Sequence, residues 1–174
     1  MTELRIMVGI PGSGKSSYIK RESDRLTSQG QKVRVISRDA IRFSLIGEND
    51  EYFSKEKQVF EKFITSINSA VLSNTFDVIF VDATHLNVNS RKKLLNNLTQ
   101  PPLCEGKVQV IFDFMDTDVE ECIKRDALRT GRQRVGRETI YSMASTLTKP
   151  ADNLIVYGNK VQVRIHKEEG DANV

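Results

Sequence analysis

The chain has 174 residues, 39% of them hydrophobic and 28% charged, and carries a net charge of +3. These are the proportions of a soluble globular protein, most simply one domain with a sizeable core. They exclude a membrane-spanning chain, because runs such as Val78-Ile79-Phe80-Val81 are only strand-length, and so mild a charge does not by itself argue for nucleic acid. The first strand begins almost at once, leaving no room for a signal peptide. Cys104 and Cys122 form no CxxC pair, as expected of thiols in a reducing cytoplasm.

In chain order, Leu4 to Val8 reads as a short buried strand, followed by Gly9-Ile10-Pro11-Gly12-Ser13-Gly14-Lys15-Ser16. This is a complete phosphate-binding P-loop: Gly, four residues, Gly, Lys, then Ser or Thr. Gly12 and Gly14 allow the backbone to turn its N–H groups toward an anion. Lys15 brings a charge to the β- and γ-phosphates, and the Ser16 hydroxyl suits Mg²⁺. A helix over 15–28 presents its positive end to the same phosphates. Gly9, Pro11, Gly12, Ser13, Gly14, Lys15, Ser16 and Ser17 are therefore expected to surround a nucleoside triphosphate.

Further strands are predicted at 33–36, 78–81, 108–114 and 154–156, with 161–165 a short final strand, antiparallel at an edge. Helices are predicted at 53–73, 88–98, 118–130 and 137–148. The stripe Phe53, Val59, Phe60, Phe63, Ile64, Ile67 and Val71 reads as core. Asp118 with Glu121 suits a capping box, and Asn87 or Asn89 suits a cap for 88–98. Pro101, Pro102 and Gly106 mark a loop, and the tail from Lys167 is expected to fray. Near-continuous apolar strands alternating with helices imply a doubly wound α/β fold with a mainly parallel five-stranded sheet. Its ligands belong at the carboxyl ends of the strands.

That rule selects the other candidates. Asp82 ends the third strand and is placed to support Mg²⁺ beside Ser16. Arg38 and Asp39 end the second, and Arg42 lies one helical turn on. A carboxylate facing a γ-phosphate can take the proton of an attacking hydroxyl, and an arginine fork suits an anionic part of the acceptor. Asp39 equally suits the N-cap of a short helix, and the two roles are compatible. Arg125, Arg129, Arg132, Arg134 and Arg137 crowd a segment carrying Gly131 and Gly136. Such a lid over 129–137 would place guanidinium charge around a moving phosphoryl group, with Arg129 the principal candidate and Arg125 and Arg132 beside it. His85 reads as a loop hydrogen-bonding residue and His166 as incidental.

Four stretches in order, GIPGSGKSS, SRDAIR, VDATHLN and KRDALRTGRQRVGRETI, resemble the P-loop kinases related to phage-type polynucleotide 5′-hydroxyl kinase, over about residues 5 to 150. The resemblance implies ATP and Mg²⁺ as cofactors and a DNA or RNA 5′ end as acceptor. Within it Asp39 is the general base, Arg42 an acceptor-phosphate contact, Arg129 the lid arginine, and Lys15 and Ser16 the P-loop pair. No DxDxT phosphatase motif follows, since Asp113-Phe114-Met115-Asp116 has the wrong spacing. Two alternatives stay open on the residues alone. One is the same chemistry on a nucleoside, a sugar or a hydroxymethylated base in DNA; the other is a nucleotide-driven switch or ATPase. Oligomeric state is also left open.

Overall fold

The computed structural model describes residues 1–98, 102, 105–151, 155–156 and 159–167. Its elements are β1 (Thr2–Val8), α1 (Lys15–Ser28), β2 (Val33–Ser37), α2 (Arg38–Leu45), α3 (Glu56–Leu72), β3 (Val78–Asp82), α4 (Val88–Asn96), β4 (Val108–Asp116), α5 (Val119–Ala127), a 3₁₀ turn (Gly131–Gln133), α6 (Arg137–Thr146), β5 (Ile155–Val156), β6 (Asn159–Lys160) and β7 (Gln162–Lys167). Five strands form one parallel sheet in the order β2-β3-β1-β4-β7. None of the helices among the described residues is long and apolar enough to cross a membrane.

The period of two along β1 divides the molecule. Leu4, Ile6 and Val8 join Val81, Val110 and Phe112 under α3 and α4, while Met7 joins Phe80 and Met115 under α1. A third cluster lies beyond the strand ends, where Ile10 of the P-loop packs with Cys122 of α5 and Ile140 of α6.

Four sequence expectations are corrected. The fifth strand of the sheet is Gln162–Lys167, and it runs parallel to β4. Ile155–Val156 instead pairs antiparallel with Asn159–Lys160 in a separate ribbon; Leu154 lies outside the described residues. Lys167 belongs to β7, so only 168–174 of the expected tail remains, and it too lies outside them, as do Pro101 and Cys104. Helix α3 starts at Glu56, which leaves Phe53 before it and 64% exposed. Asp118 is the N-cap of α5 by position but makes no side-chain capping bond, whereas Asn87 and Ser90 form a capping box on α4.

Beneath α1 lies a buried ion-pair network. Arg5 Nε donates to Asp113 Oδ2 at 2.8 Å, Nη2 to Asp113 Oδ1 at 3.0 Å and to the Tyr18 hydroxyl at 2.5 Å, and Nη1 to Glu22 at 3.2 Å. His166 Nε2 meets Asp113 Oδ1 at 2.7 Å and its ring lies against Tyr18, so His166 ties β7 to the sheet and is not incidental. Burial opposes the charge of Asp113, but His166 and Arg5 hold its carboxyl below the usual range. On the other side, the buried His85 ring faces Phe63, and its Nδ1 lies 2.8 Å from the Met7 carbonyl. A carbonyl only accepts, so Nδ1 carries the proton. Burial lowers the His85 pKa to about 4, only partly opposed by the bond to Met7.

Two outcomes follow. Arg5→Met leaves Asp113 buried with one cation fewer and should cost roughly 3–5 kcal/mol, read from the urea midpoint at unchanged slope; a loss under about 1 kcal/mol contradicts it. For His85 the unfolded chain binds a proton below pH 6.5 and the folded one only near pH 4. Stability therefore falls as pH drops through that window, by about 3 kcal/mol in full. His85→Gln should lack this component in unfolding curves recorded from pH 7 to 4.

Candidate functional site

The P-loop runs from the carboxyl end of the central strand β1 to the head of α1. Gly12 has φ +81°, and a Cβ there would lie 2.5 Å from the Cys122 carbonyl oxygen, so glycine is required both by conformation and by the closeness of α5. Gly14, at φ +94°, is the N-cap of α1. The loop is braced from several sides. Thr117 Oγ1 donates to the Ser13 carbonyl at 2.8 Å, Arg125 Nη1 to the Gly12 carbonyl at 3.3 Å, and Gly9 N to the Thr84 carbonyl at 3.0 Å. Lys15 Nζ donates to the carbonyls of Gly9 and Ile10 at 3.0 Å each. Burial lowers the Lys15 pKa; Asp82 and Asp39 oppose this and the Arg129 charge adds to it. Lys15 thus feels both strand-end carboxylates and the lid arginine.

Asp82 ends β3, next to β1 in the sheet. Burial raises its pKa, Lys15 pulls it back, and Asp39 pushes it up again. The Ser16 hydroxyl, on an exposed residue, and the Asp82 carboxylate are hard oxygen donors of the kind Mg²⁺ takes, with positions left for phosphates and water. Among the described residues no group of three or more His, Cys, Asp or Glu side chains could hold a metal unaided.

Across the crevice, Ser37 caps α2 by accepting from Ala40 N at 3.2 Å, and Asp39 falls in the first helical turn. The sequence had offered Asp39 as the cap; with Ser37 in that role, its carboxylate faces elsewhere. Arg42 Nη1 and the Tyr52 hydroxyl (2.5 Å) both donate to Asp39 Oδ1. Burial and the Asp39 carboxylate raise the Tyr52 pKa, which keeps that hydroxyl protonated as a donor. Arg42 is 4% exposed, donates to both oxygens of Glu56 at 2.8 and 3.1 Å, and reaches the Tyr52 hydroxyl at 2.7 Å. Its fork is thereby committed to its own chain. Arg38 also bonds Glu56 and lies over the rings of Phe60 and Phe63. Asp39 itself is 59% exposed by its side chain.

The 129–137 segment, expected to form a lid, is pinned at its base. Asp126, 2% exposed, accepts from the backbone N–H groups of Val135 (2.9 Å) and Gly136 (2.8 Å), and pairs with Arg129 at 3.9 Å. Arg125 also bonds Glu121. Arg132 lies 4.6 Å from the centre of the Phe43 ring, bridging this segment and α2. Arg137 turns away to Tyr141. Sequence reasoning missed Tyr52, Glu56 and Asp126. Their spacing from the motifs carries no pattern, and only the fold brings them in. Beside Gly14, Ser17, Tyr18, Arg21 and His166 lies a cavity of about 400 Å³.

Solved structures share this fold. A chain of the Pnkp1/Rnl/Hen1 RNA repair complex is 25% identical with a TM-score of 0.64, covering 84% of this chain and 44% of that one. Kti12 of Chaetomium thermophilum, in complex with ADP-AlF3, is 15% identical with a TM-score of 0.66, covering 97% and 91%. A sugar kinase from Janibacter sp. is 16% identical with a TM-score of 0.61, covering 96% and 86%. This chain spans less than half of the repair-complex chain. No curated protein matches the sequence. The fold is that of P-loop kinase-like nucleotide-binding proteins, and a family model described as AAA domain matches residues 4–150. With that match covering most of its length, the chain belongs to the AAA domain family.

Proposed function

We propose that the protein is an ATP-dependent kinase that transfers the γ-phosphoryl group to the 5′-hydroxyl of a nucleic-acid end. The observation that carries this reading is Asp39, an exposed carboxylate locked through one oxygen by Arg42 and Tyr52, close enough to Lys15 and Asp82 to alter their titration. A carboxylate can activate water as well as an alcohol, so what favours transfer to a bound acceptor over hydrolysis is Asp39 in combination with the arginines that the same chain carries between 125 and 137. For the acceptor, support comes from the order and spacing of the four motifs and from the 25% identity to a chain of an RNA repair complex.

In this mechanism the loop amides and Lys15 hold the triphosphate, with the nucleoside toward the cavity beside Tyr18 and His166. Ser16 and Asp82 would hold Mg²⁺, which when bound neutralises phosphate charge. Asp39 takes the proton of the acceptor hydroxyl as its oxygen attacks the γ-phosphorus; the bond to the β–γ bridging oxygen breaks, and ADP leaves. Arg129 steadies the charge on the moving group, with Arg132 beside it, while Arg125 braces the loop through Gly12. The family resemblance assigns Arg42 to an acceptor phosphate. Its burial against Glu56 instead favours a positioning role for Arg42, holding Asp39.

Asp39→Asn should lower transfer to a 5′-hydroxyl oligonucleotide by about 10²–10⁴-fold with ATP affinity retained; loss of ATP binding and transfer together contradicts the role. Arg129→Ala should lower kcat by roughly 10²–10³-fold with little change in KM for the acceptor, read by single-turnover transfer. The acceptor itself is tested with γ-labelled ATP and a panel of 5′-hydroxyl oligonucleotides, nucleosides, sugars and DNA containing hydroxymethyl bases. Label at the oligonucleotide 5′ end alone is the expected result, and label on another member replaces this reading.

A further inference from the structure

The segment before α3 holds two aromatic side chains that the core does not absorb. Tyr52 is 37% exposed and Phe53 64%. Their rings are 4.7 Å apart and perpendicular, at 89°, so the pair forms a corner rather than a flat patch. Phe43 extends it from α2, its ring 6.2 Å from Tyr52. The corner is held from below, where the Arg42 guanidinium lies 4.2 Å from the Tyr52 ring centre and 5.7 Å from that of Phe53. The Tyr52 hydroxyl ends on Asp39, so the aromatic wall starts at the carboxylate and leads away from it.

We propose that Tyr52 and Phe53 form a subsite that stacks the terminal base of the 5′-hydroxyl end, an inference that rests on the function proposed above. A planar ring set into such a corner stacks on one aromatic face and meets the other edge-on, an arrangement that both pairs favour. A 5′-hydroxyl on Asp39 is separated from its own base by one sugar ring, and the wall extends from Asp39 in just that sense. Stacking tolerates any base, since each has a π-face, so an enzyme for strand ends gains hold without sequence preference. Arg132, over Phe43 on the lid side, supplies positive charge beside the corner for the backbone that follows. Lys55, two residues after Phe53, is drawn back onto the Leu45 carbonyl at 2.8 Å.

The test compares two oligonucleotides, one with a normal 5′-hydroxyl nucleotide and one whose terminal nucleotide is abasic, in wild type, Phe53→Ala and Phe53→Trp. Phe53 is exposed, and thermal unfolding checks that the fold is kept. Phe53→Ala should raise KM for the normal end roughly tenfold or more, leave KM for the abasic end and for ATP at wild-type values, and be rescued by Phe53→Trp. Equal KM for the two ends in wild type, or an equal effect of Phe53→Ala on both, overturns the subsite while leaving 5′-hydroxyl transfer in place. Absence of label on either end, with ATP still bound, removes the 5′-hydroxyl reading and the subsite with it.

Discussion

The close approach of Gly12 to the backbone of Cys122 is the constraint on which the P-loop depends. No side chain fits between them. The P-loop is consequently built against α5 as well as on β1 and α1, and Thr117 and Arg125 add hydrogen bonds across the same seam. Because α5 leads directly into the 129–137 segment, the P-loop and the arginines of that segment share one support. The hydrophobic cluster of Ile10, Cys122 and Ile140 fills the space beneath and excludes water from it. A backbone loop whose amides must all point one way requires such bracing, since its glycines otherwise leave it many conformations.

The head of α2 is organised around a different group, the buried guanidinium of Arg42. It meets Glu56 from α3, Tyr52 from the connecting segment and Asp39 from its own helix. A cation nearly shut off from water is tolerable only with such partners, and the partners in turn are fixed by it. Burial weighs against its charge, yet the Glu56 carboxylate, with Tyr52 and Asp39, holds its pKa above the ordinary arginine value. Asp39 owes its fixed direction to this arrangement, while its exposure leaves it open to the crevice.

Motifs with backbone consequences were legible in the sequence. Gly12 and Gly14, the strand-end position of Asp82 and the alternation of strand and helix each rest on local rules, and the structure agrees with them. The doubly wound parallel sheet followed from these. Register and edge were less legible. Both Ile155–Val156 and Gln162–Lys167 read as strands, and the second joins the sheet by pairing with β4, some fifty residues away, where His166 also meets Asp113. Phe53 looked like core because its spacing continued that of α3, but the helix begins after it. Tyr52, Glu56 and Asp126 had no signal, since a single polar residue in a loop or helix gains meaning only from the partner the fold brings to it.

Asp126 accepts from two consecutive N–H groups at the far end of the lid, so both ends of the segment from Ala127 to Arg134 are tied to one carboxylate. The segment is an arch with fixed feet. Fixing both ends of so short a segment removes most of its conformations, so its arginines range over less space than those of a free loop. Part of the entropy of ordering those side chains is thus lost already when the chain folds. In the kinase reading proposed above, such an arch would bring an arginine of the same chain to the reaction.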